Sequence, residues 1–210
     1  MFRGWPMLKA QSITCVRGDR LLFQDLNLEV RPGEACQIQG GNGVGKTTLL
    51  RTLCGLSLPE SGEIFWNDAP IHQDPGKFQS DLVYIGHSNG IKLDLTPTEN
   101  LTFALTLQSV IPDVSIDEAL DRVRLSESQH LLCRVLSAGQ RRRVAIARLY
   151  LSRVPLWVLD EPLGAIDAAG VQEIEKAIGT HLDQGGMAIL TTHQPLHLQH
   201  APIRAVQLDN

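Results

Sequence analysis

The stretch from Gly40 to Thr47, "GGNGVGKT", matches the pattern G-x-x-x-x-G-K-[ST] without a gap. In such a loop, small residues let successive backbone N–H groups curl around phosphate oxygens, and the following helix adds partial positive charge. The apolar run "EACQIQ" precedes the loop and helical spacing follows it, which is the context that the pattern requires. The loop therefore predicts a site for nucleotide phosphates.

The residues of this loop have separate expected roles towards ATP and Mg²⁺. Lys46 is expected to reach the β and γ phosphates and to act in catalysis, and the Thr47 hydroxyl is expected to bind Mg²⁺. The other nucleotide contacts are expected from Gly40, Gly41, Asn42, Gly43, Val44, Gly45 and Thr48.

Two carboxylates end the apolar run in "PLWVLDEP", a pattern typical of a parallel strand that is buried on both faces. Asp160 is suited to Mg²⁺, directly or through water. Glu161 is suited to polarise an attacking water and is the candidate general base.

A second anion site is predicted by "LSAGQ". Ser137 and Gln140 form an S-x-x-Q capping box that begins a helix, and Gly139 lies between them. The exposed N–H groups of such a helix start, with the Ser137 hydroxyl, can bind an anion. The basic run "QRRRVAIAR" that follows is expected to be a solvated or interface face, rather than a DNA-binding patch.

Strands and helices that would position these residues alternate along the chain. "DLVYIGH" and "GMAILTTH" are further predicted strands, a helix is expected over roughly 168–183, and Thr96 to Glu99 form another capping box. The alternation predicts an α/β fold of one domain over residues 1–210, with a mainly helical insert at about 96–152.

Together these motifs resemble the ATP-binding cassette family, over about residues 8–209. The resemblance implies a RecA-like core, an N-terminal antiparallel β subdomain and a helical subdomain. It also implies that Ser137, Gly139 and Gln140 close over the γ-phosphate of ATP bound by the opposite subunit. "GAIDAAG" resembles the family's D-loop and places Asp167 at the dimer interface. "LTTHQP" resembles its switch-histidine strand and places His193 near the γ-phosphate.

Two positions depart from the family pattern. The family usually stacks adenine on an aromatic side chain, where "CVRGDR" offers Arg17, whose guanidinium can also stack on a base. The family also has a glutamine near Mg²⁺ or the attacking water, and counting back nine residues from Thr96 reaches His87, with Ser88 and Asn89 as alternatives. Neutral imidazole offers an acceptor that it loses on protonation, so activity is expected to fall below about pH 6.

Longer stretches, including "GHSNGIK", "LSAGQRRRVAIARL" and "LTTHQPL", resemble the ATP-binding subunit of the cytochrome c maturation system, of the haem-exporter type. This implies a homodimer around two ATP, multi-pass membrane subunits as partners, and a peripheral place on the cytoplasmic face of the bacterial or mitochondrial inner membrane. The implied role is haem export or release of a haem-loaded periplasmic chaperone. Alternatives are another ABC exporter, such as a lipoprotein-release system, a cassette of DNA repair or the ribosome, and a regulatory module without turnover.

Composition limits the other classes of function. The chain has 210 residues, a hydrophobic fraction of 43% and a net charge of -4, a balance that does not favour nucleic-acid binding. No apolar run approaches the roughly 18–20 residues that cross a bilayer, and no signal peptide is apparent, so a soluble, cytoplasmic protein is expected. The four cysteines form no C-x-x-C pair and are expected to be buried thiols. His193, His197 and His200 lie close in sequence, but haem ligation by them is not favoured, because Pro195 interrupts the segment and His197 and His200 are expected on an exposed helix turn.

Overall fold

A computed structural model describes residues 7–108, 112–198 and 202–208. Its strands are β1 (Leu8–Arg17), β2 (Arg20–Val30), β3 (Ala35–Gln39), β4 (Ser61–Trp66), β5 (Ala69–Pro70), β6 (Leu82–Ile85), β7 (Leu156–Asp160), β8 (Met187–Thr191) and β9 (Ile203–Gln207). Its α-helices are α1 (Lys46–Leu53), α2 (Pro75–Ser80), α3 (Pro97–Gln108), α4 (Ile116–Arg122), α5 (Ala138–Leu151) and α6 (Ala168–Asp183). Short 3-10 helices cover Ser126–Ser128 and Cys133–Val135.

The strands form two sheets. The first is antiparallel, in the order β2-β1-β4-β5. The second is parallel, in the order β6-β7-β8-β3-β9. The expected α/β fold, with an antiparallel sheet of N-terminal strands beside a parallel core, is confirmed.

The parallel sheet places the chemically active segments at one edge. Every residue of β7 and β8 is buried, as the apolar runs predicted, and Asp160 pairs with Thr191 at the ends of these strands. Because parallel strands share their carboxyl edge, the segments that follow β3, β6, β7 and β8 meet there. These segments are the glycine-rich loop, the His87 loop, the Asp160–Glu161 pair and His193.

Capping residues begin the helices of the central region. Thr96 accepts from the Glu99 amide at 3.2 Å, while the Glu99 carboxylate accepts from the Thr96 amide at 2.8 Å, so the predicted capping box is present. This interaction lowers the pKa of Glu99. The capping box of Ser137 and Gln140 is also present, at the start of α5. Helices α3, α4 and α5 pack on one another beside the parallel sheet.

Two buried apolar clusters, one on each side of the parallel sheet, form the core. One joins α5, α6 and the central helices to β7 and β8, and the other joins α1 and the antiparallel sheet to the same strands. Cys15, Cys36, Cys54 and Cys133 are buried free thiols, as expected. In the parts of the chain that the structure describes, no helix has both the length and the apolar character needed to cross a bilayer.

Candidate nucleotide site

The loop between β3 and α1 has the backbone conformation that its glycines predict. Gly45 immediately precedes α1 and has φ of 106°, in the left-handed region where side chains are strained. A Cβ at Gly45 would lie 3.1 Å from the Leu22 Cβ, so the antiparallel sheet also leaves little room there. The glycine lets the loop enter the helix directly, with the first N–H groups of α1 free to face a ligand.

Lys46 lies over this loop. Its Nζ donates to the carbonyl oxygens of Gly40 at 2.8 Å and Gly41 at 3.1 Å. The ammonium group is therefore held at the loop by neutral acceptors, which phosphate oxygens can replace with stronger, charge-assisted hydrogen bonds.

Asp160 ends β7 and is only 2% exposed. Its two carboxylate oxygens accept from two hydroxyls, Thr47 Oγ1 at 2.7 Å and Thr191 Oγ1 at 2.7 Å. The carboxylate is thus fixed against the first turn of α1 on one side and against the end of β8 on the other. The hydrogen bonds compensate for the burial of its charge.

Glu161 follows Asp160 in an unusual backbone conformation. Its φ is 52°, a region that non-glycine residues rarely adopt and that is found at strained functional positions. Its backbone N–H donates to the Thr191 hydroxyl at 2.9 Å and its Oε1 lies 3.4 Å from His193 Nε2. That oxygen is buried and makes no hydrogen bond among the described residues, while another part of the Glu161 side chain remains exposed.

An open cleft of about 290 Å³ collects most of the expected residues. It is lined by Arg17, Leu22, Asn42, Gly43, Gly45, Lys46, Thr47, Thr48, His87, Asp160, Glu161 and His193. Gly40 lines an adjoining cleft of about 370 Å³, which Lys46 and His193 share. Gly41 contributes a backbone carbonyl to Lys46, and Val44 is buried beneath the loop. The cleft therefore combines a cationic loop with two carboxylates and two histidines.

The donor set in this cleft fits Mg²⁺. The cation prefers oxygen ligands and is commonly held by one or two protein groups together with substrate phosphates and water. The Thr47 hydroxyl and the buried Asp160 carboxylate, in contact at 2.7 Å, supply such a pair. No cluster of three or more histidine, cysteine or acidic side chains with metal-binding geometry occurs in the described residues. Thr47 and Asp160 would share a magnesium ion with nucleotide phosphates and water.

The loop after β6 separates its three candidate residues. His87 is exposed and lines the cleft. Asn89 turns to the protein interior, where its Oδ1 accepts from Arg142 Nη1 at 3.1 Å. Ser88 is exposed and does not line the cleft. The geometry thus favours His87 over the two alternatives as the residue that faces a nucleotide.

Arg142 corrects the prediction that the basic run on α5 is a solvated or interface face. Its side chain is 5% exposed and donates to carbonyl oxygens of Gly86, Asp160 and Glu161. Burial lowers the pKa of its guanidinium, and the nearby charges of Asp160 and Glu161 oppose that shift. Because the run is hydrophilic, it gave no sign of a buried side chain. Helical periodicity nevertheless directs one of the three adjacent arginines towards the sheet.

The second predicted anion site lies elsewhere on the described surface. Ser137 and Gln140 cap α5, and neither they nor Gly139 and Asp167 line the cleft. The Ser137 Oγ accepts from the Gln140 amide at 3.2 Å, which leaves its own proton to donate. A Cβ at Gly139 would lie 2.5 Å from the Ala165 carbonyl oxygen, so only glycine fits at this approach. The start of α5 and the segment that leads to Asp167 therefore lie in close contact at Gly139.

Asp167 has two partners within the chain. Its Oδ1 accepts from the Gly170 amide at 3.1 Å, which caps α6, and from Arg143 Nη2 at 2.5 Å. The hydrogen bond from Arg143 is the main cause of its lowered pKa. These contacts explain why Asp167 lies at the start of α6. Its contact at a dimer interface stays a prediction.

Three residues near the site were not expected to contribute to it. Thr191 joins Asp160 to Glu161 from β8, and Arg142 reaches the same turn from α5. Tyr84 is half-buried beside them, and burial, followed by the Asp160 charge, raises its pKa to about 12. Thr191 ends the apolar run that predicted β8. A hydroxyl at the end of a buried strand was the one feature of the sequence that could have indicated its contact with the site.

The histidines after β8 do not form a cluster in the described residues. His193 lies at the cleft, whereas His197 is exposed, and its amide donates to Glu175 Oε1 at 2.7 Å. The expected helical turn at His197 is wrong, since that residue lies in an irregular segment. His200 lies outside the described residues.

The sequence matches a protein-family model and is similar to relatives that share one name. The ABC transporter family model matches residues 23–164. The "Cytochrome c biogenesis ATP-binding export protein CcmA" of Aliivibrio fischeri is 45% identical over 96% of this chain and 99% of its own length. The proteins of the same name from Vibrio cholerae and Aromatoleum aromaticum are 46% and 50% identical, over 96% and 92% of this chain and 98% and 92% of their own lengths.

Solved structures share the fold. A dimeric ATP-binding cassette in a post-hydrolysis state, bound to ADP and Pi, has a TM-score of 0.82 at 22% identity and covers 97% of each chain. A dimeric bacterial ABC transporter cassette has a TM-score of 0.79 at 23% identity, covering 95% of this chain and 94% of its own. With the relatives above, these matches confirm the expected family and fold, and the chain belongs to the ABC transporter family, within its group of cytochrome c biogenesis ATP-binding export proteins.

Proposed function

We propose that the chain is the ATP-binding and ATP-hydrolysing subunit of a membrane ABC complex in cytochrome c biogenesis. The observation that carries the hydrolytic part is the placement of Glu161, which follows the buried Asp160 in a strained turn and lines a cleft together with Lys46 and His193. An ionised carboxylate is an acceptor, so at this position it can accept a hydrogen bond from a water molecule in the cleft. The relatives' names support the biological role.

Each residue has a defined task towards ATP in this proposal. Backbone N–H groups of Asn42 to Thr48 bind the phosphates, and Lys46 exchanges its two carbonyl acceptors for phosphate oxygens. Glu161 orients and polarises the attacking water, and His193, 3.4 Å from its Oε1, fixes the water and the γ-phosphate. Arg17, at the cleft rim, stacks on adenine.

Mg²⁺ would be held by Thr47 and Asp160, and His87, which lines the same cleft, is the proposed further contact to the ion or the water. When bound, the ion neutralises phosphate charge. The task of the protein residues is to hold that pair of oxygens at one edge of the sheet. Neutral His87 presents an acceptor there, whereas its protonated form would repel the cation.

A homodimer supplies the second phosphate contact. Ser137, Gly139 and Gln140 lie outside the cleft of their own chain, so they are available to the nucleotide of a second copy. Asp167 would lie at the same interface. The membrane partners are multi-pass subunits of the cytochrome c maturation complex, on the cytoplasmic side of the inner membrane. Transport of haem, or release of a haem-loaded periplasmic chaperone, is the proposed use of ATP.

Complementation tests the biological role. A bacterial strain that lacks its own cytochrome c biogenesis ATPase is expected to regain covalent haem attachment to c-type cytochromes when it expresses this chain. The Lys46→Ala variant is the control, and it should be present at equal abundance without restoring haem-stained cytochromes. Restoration by both proteins, or rescue only of a strain defective in lipoprotein release, would assign a different role.

A substitution at the start of α5 tests the two-chain arrangement. The Ser137→Arg variant places a bulky charge at the start of α5 without touching its own cleft. ATP binding by the isolated variant is expected to remain, whereas ATP-dependent dimerisation, followed by sedimentation, should be lost. An ATP-dependent dimer of normal affinity in this variant would remove the Ser137 helix start from the interface.

A further inference from the structure

Arg142 connects three parts of the molecule that are distant in sequence. It projects from α5, one and a half turns after the Ser137 cap, and its guanidinium is almost fully buried. Nη1 donates to Gly86 O at 2.7 Å and Asn89 Oδ1 at 3.1 Å, in the loop that carries His87. Nη2 donates to Asp160 O at 2.6 Å and Glu161 O at 2.9 Å, in the turn that carries the carboxylates.

The rigid shape of the Arg142 guanidinium fixes the distance between the segments that it binds. Its two Nη atoms belong to one rigid, planar group, so the oxygens that they bind are held at a fixed separation. The loop after β6 and the turn after β7 are thereby linked through a single side chain. A lysine ammonium is a point donor on a flexible stem and cannot reproduce this fork.

The turn that Arg142 holds is strained. Glu161 has φ of 52°, and such conformations persist only where surrounding contacts determine them. Arg142 binds the carbonyl of Glu161 while Thr191 accepts from its amide, so the backbone is held on both sides of the Glu161 Cα. The direction of the Glu161 side chain depends on that backbone conformation.

We propose that Arg142 is a positioning residue for ATP hydrolysis, which fixes the His87 loop and the Glu161 turn relative to each other. It touches neither nucleotide nor water and acts through these two segments. Because α5 begins at Ser137, the same side chain also ties both segments to the helix that would meet the second copy. The inference rests on the proposed ATPase activity.

Kinetics of Arg142→Lys and Arg142→Gln test this role. Both variants are expected to lower kcat at least about tenfold, because a misplaced catalytic group acts on the chemical step. KM for ATP should stay within about threefold, since the glycine-rich loop and Lys46 are not touched. The matched controls are Arg141→Lys and Arg141→Gln, on the adjacent residue of α5, which makes no side-chain hydrogen bond to the described residues; these should keep wild-type kcat. Wild-type kcat at position 142, or an equal loss at position 141, would overturn the inference.

Asn89→Ala provides a milder variant in case the substitutions of buried Arg142 prevent folding. It removes one of the two loop contacts and leaves both contacts to the turn. Its kcat is expected to fall about threefold or more, with KM within twofold. If the Arg142 variants do not fold and Asn89→Ala has unchanged turnover, Arg142 has only a structural role and the proposal is overturned.

Amide hydrogen exchange separates this inference from the proposed function. In nucleotide-free Arg142→Lys, segments 86–92 and 161–164 should both exchange about tenfold faster than in the wild type, while 156–159 within β7 should not change. Unchanged exchange in both segments would refute the link even if the chain hydrolyses ATP. A wild-type chain that shows the link but neither binds nor hydrolyses ATP would instead refute the proposed function.

Discussion

Replacing Thr191 by valine removes the hydroxyl that holds Asp160 from the side of β8, with almost no change of shape. Thr191 is 0% exposed, and its Oγ1 donates to Asp160 Oδ1 at 2.7 Å. The Glu161 amide, which also uses this hydroxyl, keeps a second acceptor in the Thr191 carbonyl at 3.2 Å. The main loss is therefore one hydrogen bond to a buried carboxylate.

A hydrogen bond to a charged group contributes about 1.5–3 kcal/mol to stability. Taking about 2 kcal/mol, and a shift of about 2–4 °C per kcal/mol for a chain of this size, the melting temperature of Thr191→Val should fall by about 4–8 °C. The Asp160 carboxylate would then be held by Thr47 alone. We expect kcat for ATP to fall about tenfold as well, because the carboxylate is no longer fixed.

Thr191→Ser is the matched control, because it keeps the hydroxyl and loses only a buried methyl group. Its melting temperature should also fall, by the cost of about one methyl group, roughly 1 kcal/mol, but its kcat should stay near wild type. Differential scanning fluorimetry and a phosphate-release assay measure the two quantities. If valine and serine variants have equal kcat, the reasoning that the hydroxyl positions Asp160 is refuted.

Three further outcomes follow from individual contacts. Burial lowers the pKa of His181, whose ring stacks on Trp157 with the centroids 4.0 Å apart, to about 4. Between about pH 6.5 and 4, this histidine therefore binds a proton in the unfolded chain but not in the folded one. The free energy of unfolding should therefore fall by up to ~3 kcal/mol on acidification through this window, and urea titration of His181→Phe should show that part of the acid loss removed. His87→Gln should keep kcat near that of the wild type at about pH 7.5, because the amide oxygen offers an acceptor in place of the imidazole nitrogen, whereas a large loss of kcat would count against His87. Gly139→Ala should lose about 1–3 kcal/mol and much of its turnover, because its Cβ would lie 2.5 Å from the Ala165 carbonyl, while Gly179→Ala, with open space at its Cβ, should gain stability in calorimetry.

The catalytic edge of the sheet could be predicted because each of its segments has a local signature. The glycine-rich loop needs small residues, the strand before Asp160 needs an uninterrupted apolar run, and the helix at Ser137 needs a cap three residues before Gln140. These are short-range requirements, so the sequence displays them directly. His87 was reached by counting from Thr96, and the cleft indeed includes it.

The contacts that join these segments could not be predicted in the same way. Arg142 lies in a run of three arginines, and only the packing of α5 on the sheet determines which of them is buried. Thr191 meets Asp160 only because β7 and β8 pair in the observed register. Such tertiary contacts depend on the positions of whole elements, to which local patterns are insensitive.

In the proposed reaction, this chain hydrolyses ATP with Glu161 as the water-activating carboxylate. The most direct measurement compares phosphate release and ATP binding in the wild type and in Glu161→Ala, each at equal concentration and with Mg²⁺. We expect the wild type to release phosphate, and the variant to lose nearly all turnover while its Kd for ATP stays within about threefold, since Lys46 and the glycine-rich loop are intact. Wild-type-like phosphate release by Glu161→Ala would contradict the account.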